Sequence, residues 1–160
     1  YTVLYDVTPG EKDFSFTNNN KVLPEDMSVS SNYMGDKANL AIDNDISTRW
    51  GSGIKQSADM EFIIRFKKPL KITALDLKTG QFVTDVARRL SVNCIKGDET
   101  SVEVASPEQT QAVRDLIEFE GKNQPIHIEP QICDGIILKQ SGKDGKFDWS
   151  IAELDIYAQG

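Results

Sequence analysis

The chain has 160 residues, enough for one domain that buries roughly two thirds of its unfolded surface and holds a core without staples. Its 25 acidic residues outnumber 18 basic ones, for a formal net charge of −7. That balance argues against a nucleic-acid partner and against docking on an anionic membrane, since both need clustered Lys and Arg; no apolar run approaches the ~20 residues of a membrane helix, and no signal peptide is visible.

In chain order, Tyr1 in place of an initiating Met suggests a part processed or excised from something longer. Residues 1–22 read as an N-terminal strand or linker of the same unit. Phe14 and Phe16 flank Ser15 at strand spacing, and Thr17-Asn18-Asn19-Asn20 is a polar break. Period-two alternation then recurs to the end of the chain, with almost no helical periodicity. Strands are expected at 27–30, 59–66, 71–78, 90–96, 101–104, 116–120, 126–129, 135–140 and 151–157, separated by Gly, Pro, Asn and Asp signals. Short helical turns are expected around 37–42 and over 107–113, where Ser106 caps and Pro107 takes the first helical position. Short strands at this spacing predict an all-β sandwich or jelly roll, formed by residues 23–160. No internal repeat points to a solenoid.

Two cysteines are too few for a disulfide framework. Cys94 alternates with Leu90 and Val92, and Cys133 opens the apolar run before Gly135-Ile136-Ile137-Leu138. Both are expected in the core, as unpaired thiols ahead of a disulfide between neighbouring strands. The single histidine, His127, alternates with Ile126 and Ile128 and reads as a structural residue on the polar face of a strand. With no Gly-x-Ser-x-Gly elbow, no phosphate loop and no marked carboxylate pair, the chain reads as non-enzymatic.

Binding chemistry is better represented. A sugar site on a β scaffold needs a flat aromatic surface with polar side chains beside it. Tyr33 lies in the loop 31–35; Lys55 and Gln56 follow Gly53; Phe82 and Arg88 sit in 80–89; Phe147 and Trp149 sit in 145–149. Singly each reads as loop packing, but together they predict a glycan site. Phe82, Phe147 or Trp149 would stack on the ring, and Tyr33, Gln56 and Arg88 would read hydroxyls. Separately, Asp43, Asp45 and Thr48 supply hard oxygen ligands at spacings suited to a cation such as calcium. Taken alone, this run reads first as an Asx or ST turn.

Two segments carry a resemblance. Asn39-Leu40-Ala41-Ile42-Asp43-Asn44-Asp45-Ile46-Ser47-Thr48-Arg49-Trp50 and, far along the chain, Trp149-Ser150-Ile151-Ala152-Glu153-Leu154-Asp155-Ile156-Tyr157 resemble the discoidin family, the coagulation-factor type C domains, and especially bacterial family 32 carbohydrate-binding modules. Leu23-Pro24 through Met27-Ser28-Val29-Ser30-Ser31 is similar to the family's leading strand, with weaker echoes at 71–77, 88–93 and 96–98. The resemblance implies a galactose-binding-like β-sandwich whose end loops take the ligand. It also implies a structural calcium held by the Leu40 carbonyl, Asp43, Asp45, Thr48, the Ala152 carbonyl and Glu153. Glu153 completes an oxygen shell, which reverses the preference for a mere turn, and Trp50 is expected in the core. The chain departs from its relatives in the loop after Trp50, which lacks the His that galactose binders often carry. Ile42 also replaces an acidic residue. A standard galactose site is therefore not expected, nor are the terminal cysteines and apolar spikes of the membrane-binding members. The stretch 106–114 is longer than the family minimum. The implied protein is a non-catalytic, monomeric module of a larger exported bacterial protein, extracellular, cell-surface or periplasmic, with a glycan as partner. The alternative is a protein-interaction or structural module without sugar binding.

Overall fold

Strand ladders dominate the computed structural model, which describes residues 20–117 and 123–159. They are β1 (Asn20–Lys21), β2 (Met27–Ser31), β3 (Trp50–Lys55), β4 (Met60–Lys78), β5 (Leu90–Ile95), β6 (Ser101–Ala105), β7 (Asn123–Gln140), β8 (Asp148–Ile151) and β9 (Glu153–Gln159). One helix, α1 (Pro107–Ile117), and 3-10 turns at Pro24–Asp26, Gly35–Ala41 and Val83–Asp85 complete the described elements.

The long strands β4 and β7 organise the sandwich. Their antiparallel register shifts between Arg65 and Leu70. On one side of the shift β4 lies between β2 and the second half of β7, which continues to β5 and β6; on the other it lies between β9 and the first half of β7, with β1 beyond β9. Pro69, which cannot donate to a ladder, falls within the break. Gly135 faces Arg65 there, and a Cβ at that position would run into the Ile64 carbonyl. A glycine is what lets the two backbones approach so closely. One continuous core draws on both halves, from Phe62, Ile64 and Leu138 to Leu75, Leu154 and Ile156. A separate two-stranded ladder joins β3 to β8.

The all-β sandwich is as expected, but several boundaries differ. The expected strands 59–66 and 71–78 are one strand, as are 126–129 and 135–140, because a ladder passes through a bulge that sequence alternation reads as a break. The expected strand 151–157 belongs to two strands that part at Ala152, and β3 formed where a loop was expected. The expected strand at 116–120 is contradicted at Leu116 and Ile117, which end α1; its remainder lies outside the described residues. A reciprocal cap starts that helix. Gln109 N–H donates to the Ser106 hydroxyl at 3.2 Å, and Ser106 N–H donates to the Gln109 amide oxygen at 2.7 Å. The strand expected around Phe14 and Phe16 also lies outside the described residues. The turn expected at 37–42 is realised as the 3-10 segment Gly35–Ala41.

The cysteines are corrected as well. Cys94 on β5 and Cys133 on β7 are both buried, as their alternation predicts, but they form a disulfide, with Cα atoms 5.5 Å apart. Alternation places each thiol on the core face; it cannot show that the two face one another.

Candidate functional site

Trp50 is fully buried and Trp149 is 2% exposed. Their rings meet edge to face at 5.0 Å, and Trp50 meets Phe62 at the same distance. The Trp50 indole N–H donates to the Tyr33 carbonyl at 2.9 Å. Trp50 is therefore core, as expected, but the expectation that Trp149 stacks on a sugar is overturned: its ring is sealed inside, where it anchors β8.

Phe147, just before β8, stays half-buried at the surface. The turn that presents it is fixed from within. Asp144 Oδ1 accepts the N–H groups of Phe147 and Lys146, each at 2.8 Å, and these donors, with Arg88, hold the Asp144 carboxyl down to about 2. The Phe147 carbonyl accepts the Gln56 N–H at 3.0 Å. Between this turn and the end of β3 lies an open groove of about 640 Å³, lined by Gly53, Ile54, Lys55, Lys146, Phe147 and Asp148. The Lys146 ammonium sits 5.3 Å from the centroid of the Phe147 ring.

Of the side chains expected to bind ligand, Phe147 alone lines this groove. Gln56 is 3% exposed; its amide nitrogen donates to the Val86 and Asp148 carbonyls, and its oxygen accepts the Arg88 N–H at 2.9 Å. It is a spacer between loops, so a hydroxyl-reading role is overturned. Arg88 is likewise committed internally, to Asp144 at 2.8 Å and to the Val86 and Thr84 carbonyls. Phe82 carries the Arg49 guanidinium 4.5 Å from its ring centroid. That guanidinium reaches the Ser150 hydroxyl at 2.7 Å, Asp148 at 3.4 Å and Asp85 at 3.7 Å; burial raises the Asp85 carboxyl, and the Ser150 hydroxyl, donating at 2.8 Å, opposes the shift. Tyr33 directs its hydroxyl to Asp59 at 3.0 Å. The groove members Ile54, Lys146 and Asp148 escaped the sequence reading. No alternation in 147–150 could have marked them, since Phe147 and Trp149 share one strand parity and Ser150 is buried beside Trp149.

A second region centres on the loop after the Gly35–Ala41 turn. Asp45 N–H donates to Asp43 Oδ1 at 3.1 Å, Ser47 donates through its N–H and hydroxyl to Asp45 Oδ1, and Thr48 donates through its N–H to the Asp45 carbonyl at 3.1 Å and through its hydroxyl to Asp43. The Asx-turn reading is thus realised in full. The loop is also tied to β9, because Asn44, at φ 62°, donates its N–H to Glu153 Oε2 at 3.2 Å. The other oxygen, Glu153 Oε1, is buried without a hydrogen-bond partner, and burial pushes this carboxyl up to about 7.

An orphaned buried oxygen beside a loop rich in hard donors suits a hard cation. Among the described residues no three His, Cys, Asp or Glu side chains converge to hold a metal, so such an ion would need carbonyl oxygens as well. Nearby, Asp155 receives Lys21 and Lys78, each at 2.9 Å. Asp76, opposite Asp155 in the ladder, is pushed up by burial to about 6.

No family model matches the sequence, and no curated protein matches it. Solved structures do. The family 32 carbohydrate-binding module of NanJ from Clostridium perfringens, in complex with galactose, superposes with a TM-score of 0.67 at 16% identity, over 87% of this chain and 98% of that one. CpGH89CBM32-5 from Clostridium perfringens, in complex with GalNAc-β-1,3-galactose, gives 0.66 at 12% identity over 87% and 100%. Chitosan-binding module 2 of a chitosanase/glucanase from Paenibacillus sp. IK-5, in complex with chitotriose, gives 0.65 at 14% identity over 83% and 97%. The chain has the discoidin-like β-sandwich fold of family 32 carbohydrate-binding modules.

Proposed function

We propose that the chain is a non-catalytic carbohydrate-binding module of a larger exported protein, acting outside the cell, and that it takes a glycan in the groove beneath Phe147. The observation that carries this reading is that groove, an aromatic and aliphatic wall beside polar side chains, on a fold whose sugar-bound representatives match nearly from end to end. Ile54 and Phe147 would take the apolar face of a sugar ring. The buried hydrogen bonds of Gln56 and Arg88 would hold the walls in place, so little ordering entropy is lost on binding.

A structural calcium belongs to the same proposal. Asp43, Asp45, Thr48 and Glu153, with the Leu40 and Ala152 carbonyls, would hold it. It would neutralise the buried Glu153 and fasten the 43–48 loop to β9. The support is the unpartnered Glu153 Oε1.

The glycan reading is tested by calorimetric titration against a panel of oligosaccharides, with Phe147→Ala as control. Binding that Phe147→Ala weakens about tenfold, as expected for loss of an aromatic stack, supports the groove. Silence across the whole panel would leave a protein-interaction or structural module as the better reading.

A further inference from the structure

The charge of the groove runs against that of the chain. The protein is acidic overall, at −7, yet Lys55 and Lys146 stand at the groove, and neither forms an ion pair with any described residue. The carboxylates beside them are already satisfied. Asp148 in the lining is held by Arg49 at 3.4 Å, and Asp144 on the adjoining turn is held by Arg88 at 2.8 Å. Lys146 is further confined to the face of the Phe147 ring, because the ring quadrupole attracts its ammonium. Two ammonium groups with no carboxylate left to share raise the local potential, and a ligand that brings a negative charge relieves it.

We infer that the groove takes an anionic sugar, a pyranose bearing a carboxylate or a sulfate. Its ring lies against Ile54 and Phe147, and its anionic group meets Lys55 and Lys146. This rests on the glycan reading and narrows its ligand class. Lysine is a compact point charge with no planar fork, so it serves either anion; the carboxylate and the sulfate are separated by experiment. A neutral sugar gains little from either ammonium. A polyanion is repelled by the rest of the surface, so contact stays local and sensitive to salt.

The test is calorimetric titration of the whole chain with oligomers of galacturonic acid, with heparin-derived sulfated oligosaccharides, and with neutral galactose and N-acetylated chitotriose. One anionic series is expected to bind at least about tenfold more tightly than either neutral sugar. Lys55→Gln and Lys146→Gln should each weaken that binding about fivefold, with unchanged melting curves, and added salt should weaken it further. The series that binds assigns the anion. Neutral sugars binding as tightly as anionic ones, or anionic binding indifferent to both lysine variants, overturns the inference and leaves the glycan reading standing. Silence from every sugar removes both.

Discussion

Glu153 and Phe147 flank the short strand β8, and the groups around them treat charge in opposite ways. On the Glu153 side the carboxylates are internal: Asp76 is 6% exposed, Glu153 7% and Asp155 2%, while Lys21 and Lys78 reach in from the surface. On the Phe147 side the cations lie over aromatic rings, Lys146 on Phe147 and Arg49 on Phe82, and the carboxylate of Asp144 is capped by backbone N–H groups. The carboxyls respond accordingly. Burial lifts Asp76 to about 6 and Glu153 to about 7, whereas N–H donors draw Asp144 down to about 2. The same chemical group is made reluctant to ionise or eager to ionise by whether its lost water was replaced.

The largest expected effect breaks both regions together. Trp149→Ala removes a buried indole from its edge contact with Trp50 and should cost about 3–5 kcal/mol. Trp50 closes the loop that carries Asp43 to Thr48, and Trp149 fixes the strand between groove and Glu153. Both regions should therefore loosen in hydrogen exchange. Phe147→Ala, two residues away but half-buried, should cost only about 1 kcal/mol in a urea titration while weakening ligand binding about tenfold. Equal destabilisation by the two variants would mean that Phe147 is a packing residue and not part of a site.

A change on the acid side alone sharpens the contrast. The carboxyl of Asp76 stands at about 6 in the folded protein against 3.8 when unfolded, so the native state holds the proton more tightly. Its contribution to stability is full below pH 3.8 and is lost as the pH rises through about 6. The span is at most about 3 kcal/mol. Asp76→Asn keeps a neutral group at every pH and should flatten that loss, measured as the difference from wild type in urea midpoints at pH 4, 6 and 8 with chelator present. Parallel profiles for the two proteins would show that Asp76 ionises normally.

The fold was legible because strand alternation and turn residues survive any tertiary arrangement: 90–95 and 101–105 fall within a residue of their expected limits. Continuity through a bulge was not legible, since the Arg65 to Leu70 break in the ladder reads as a turn. The Asp43 to Thr48 loop could be read because its hydrogen bonds are local. Glu153 was placed beside it only through a family resemblance, as the contact is long-range. Phe82, Phe147 and Trp149 read alike as ligand platforms. Burial sets Trp149 apart, against Trp50, and tertiary neighbours separate the other two: Phe82 faces Arg49, and Phe147 lines the groove. Composition could not reveal that Gln56 spends its amide on the distant backbone of Val86, Arg88 and Asp148, or that Arg88 reaches the Asp144 carboxylate far along the chain.

Calcium tests whether the acid side is built to be incomplete on its own. A ligand that binds only the folded chain adds about 2.7 kcal/mol at a concentration a hundredfold above its Kd, so chelation at pH 8 should lower the melting temperature by several degrees without unfolding the core. The sharper form uses Glu153→Gln, which deletes a buried charge while keeping the amide oxygen near Asn44. With chelator present this variant should be at least as stable as wild type, since the desolvated carboxylate is gone. With calcium present the order should reverse, because wild type gains the ion and the variant does not. Asp43→Ala should lose the calcium response too, but without any gain in the chelated protein, because Asp43 is exposed and its carboxylate accepts from Asp45 and Thr48. A wild-type melting curve that calcium and chelator leave unmoved would sink the site and return the loop to what its own hydrogen bonds already make it, a turn.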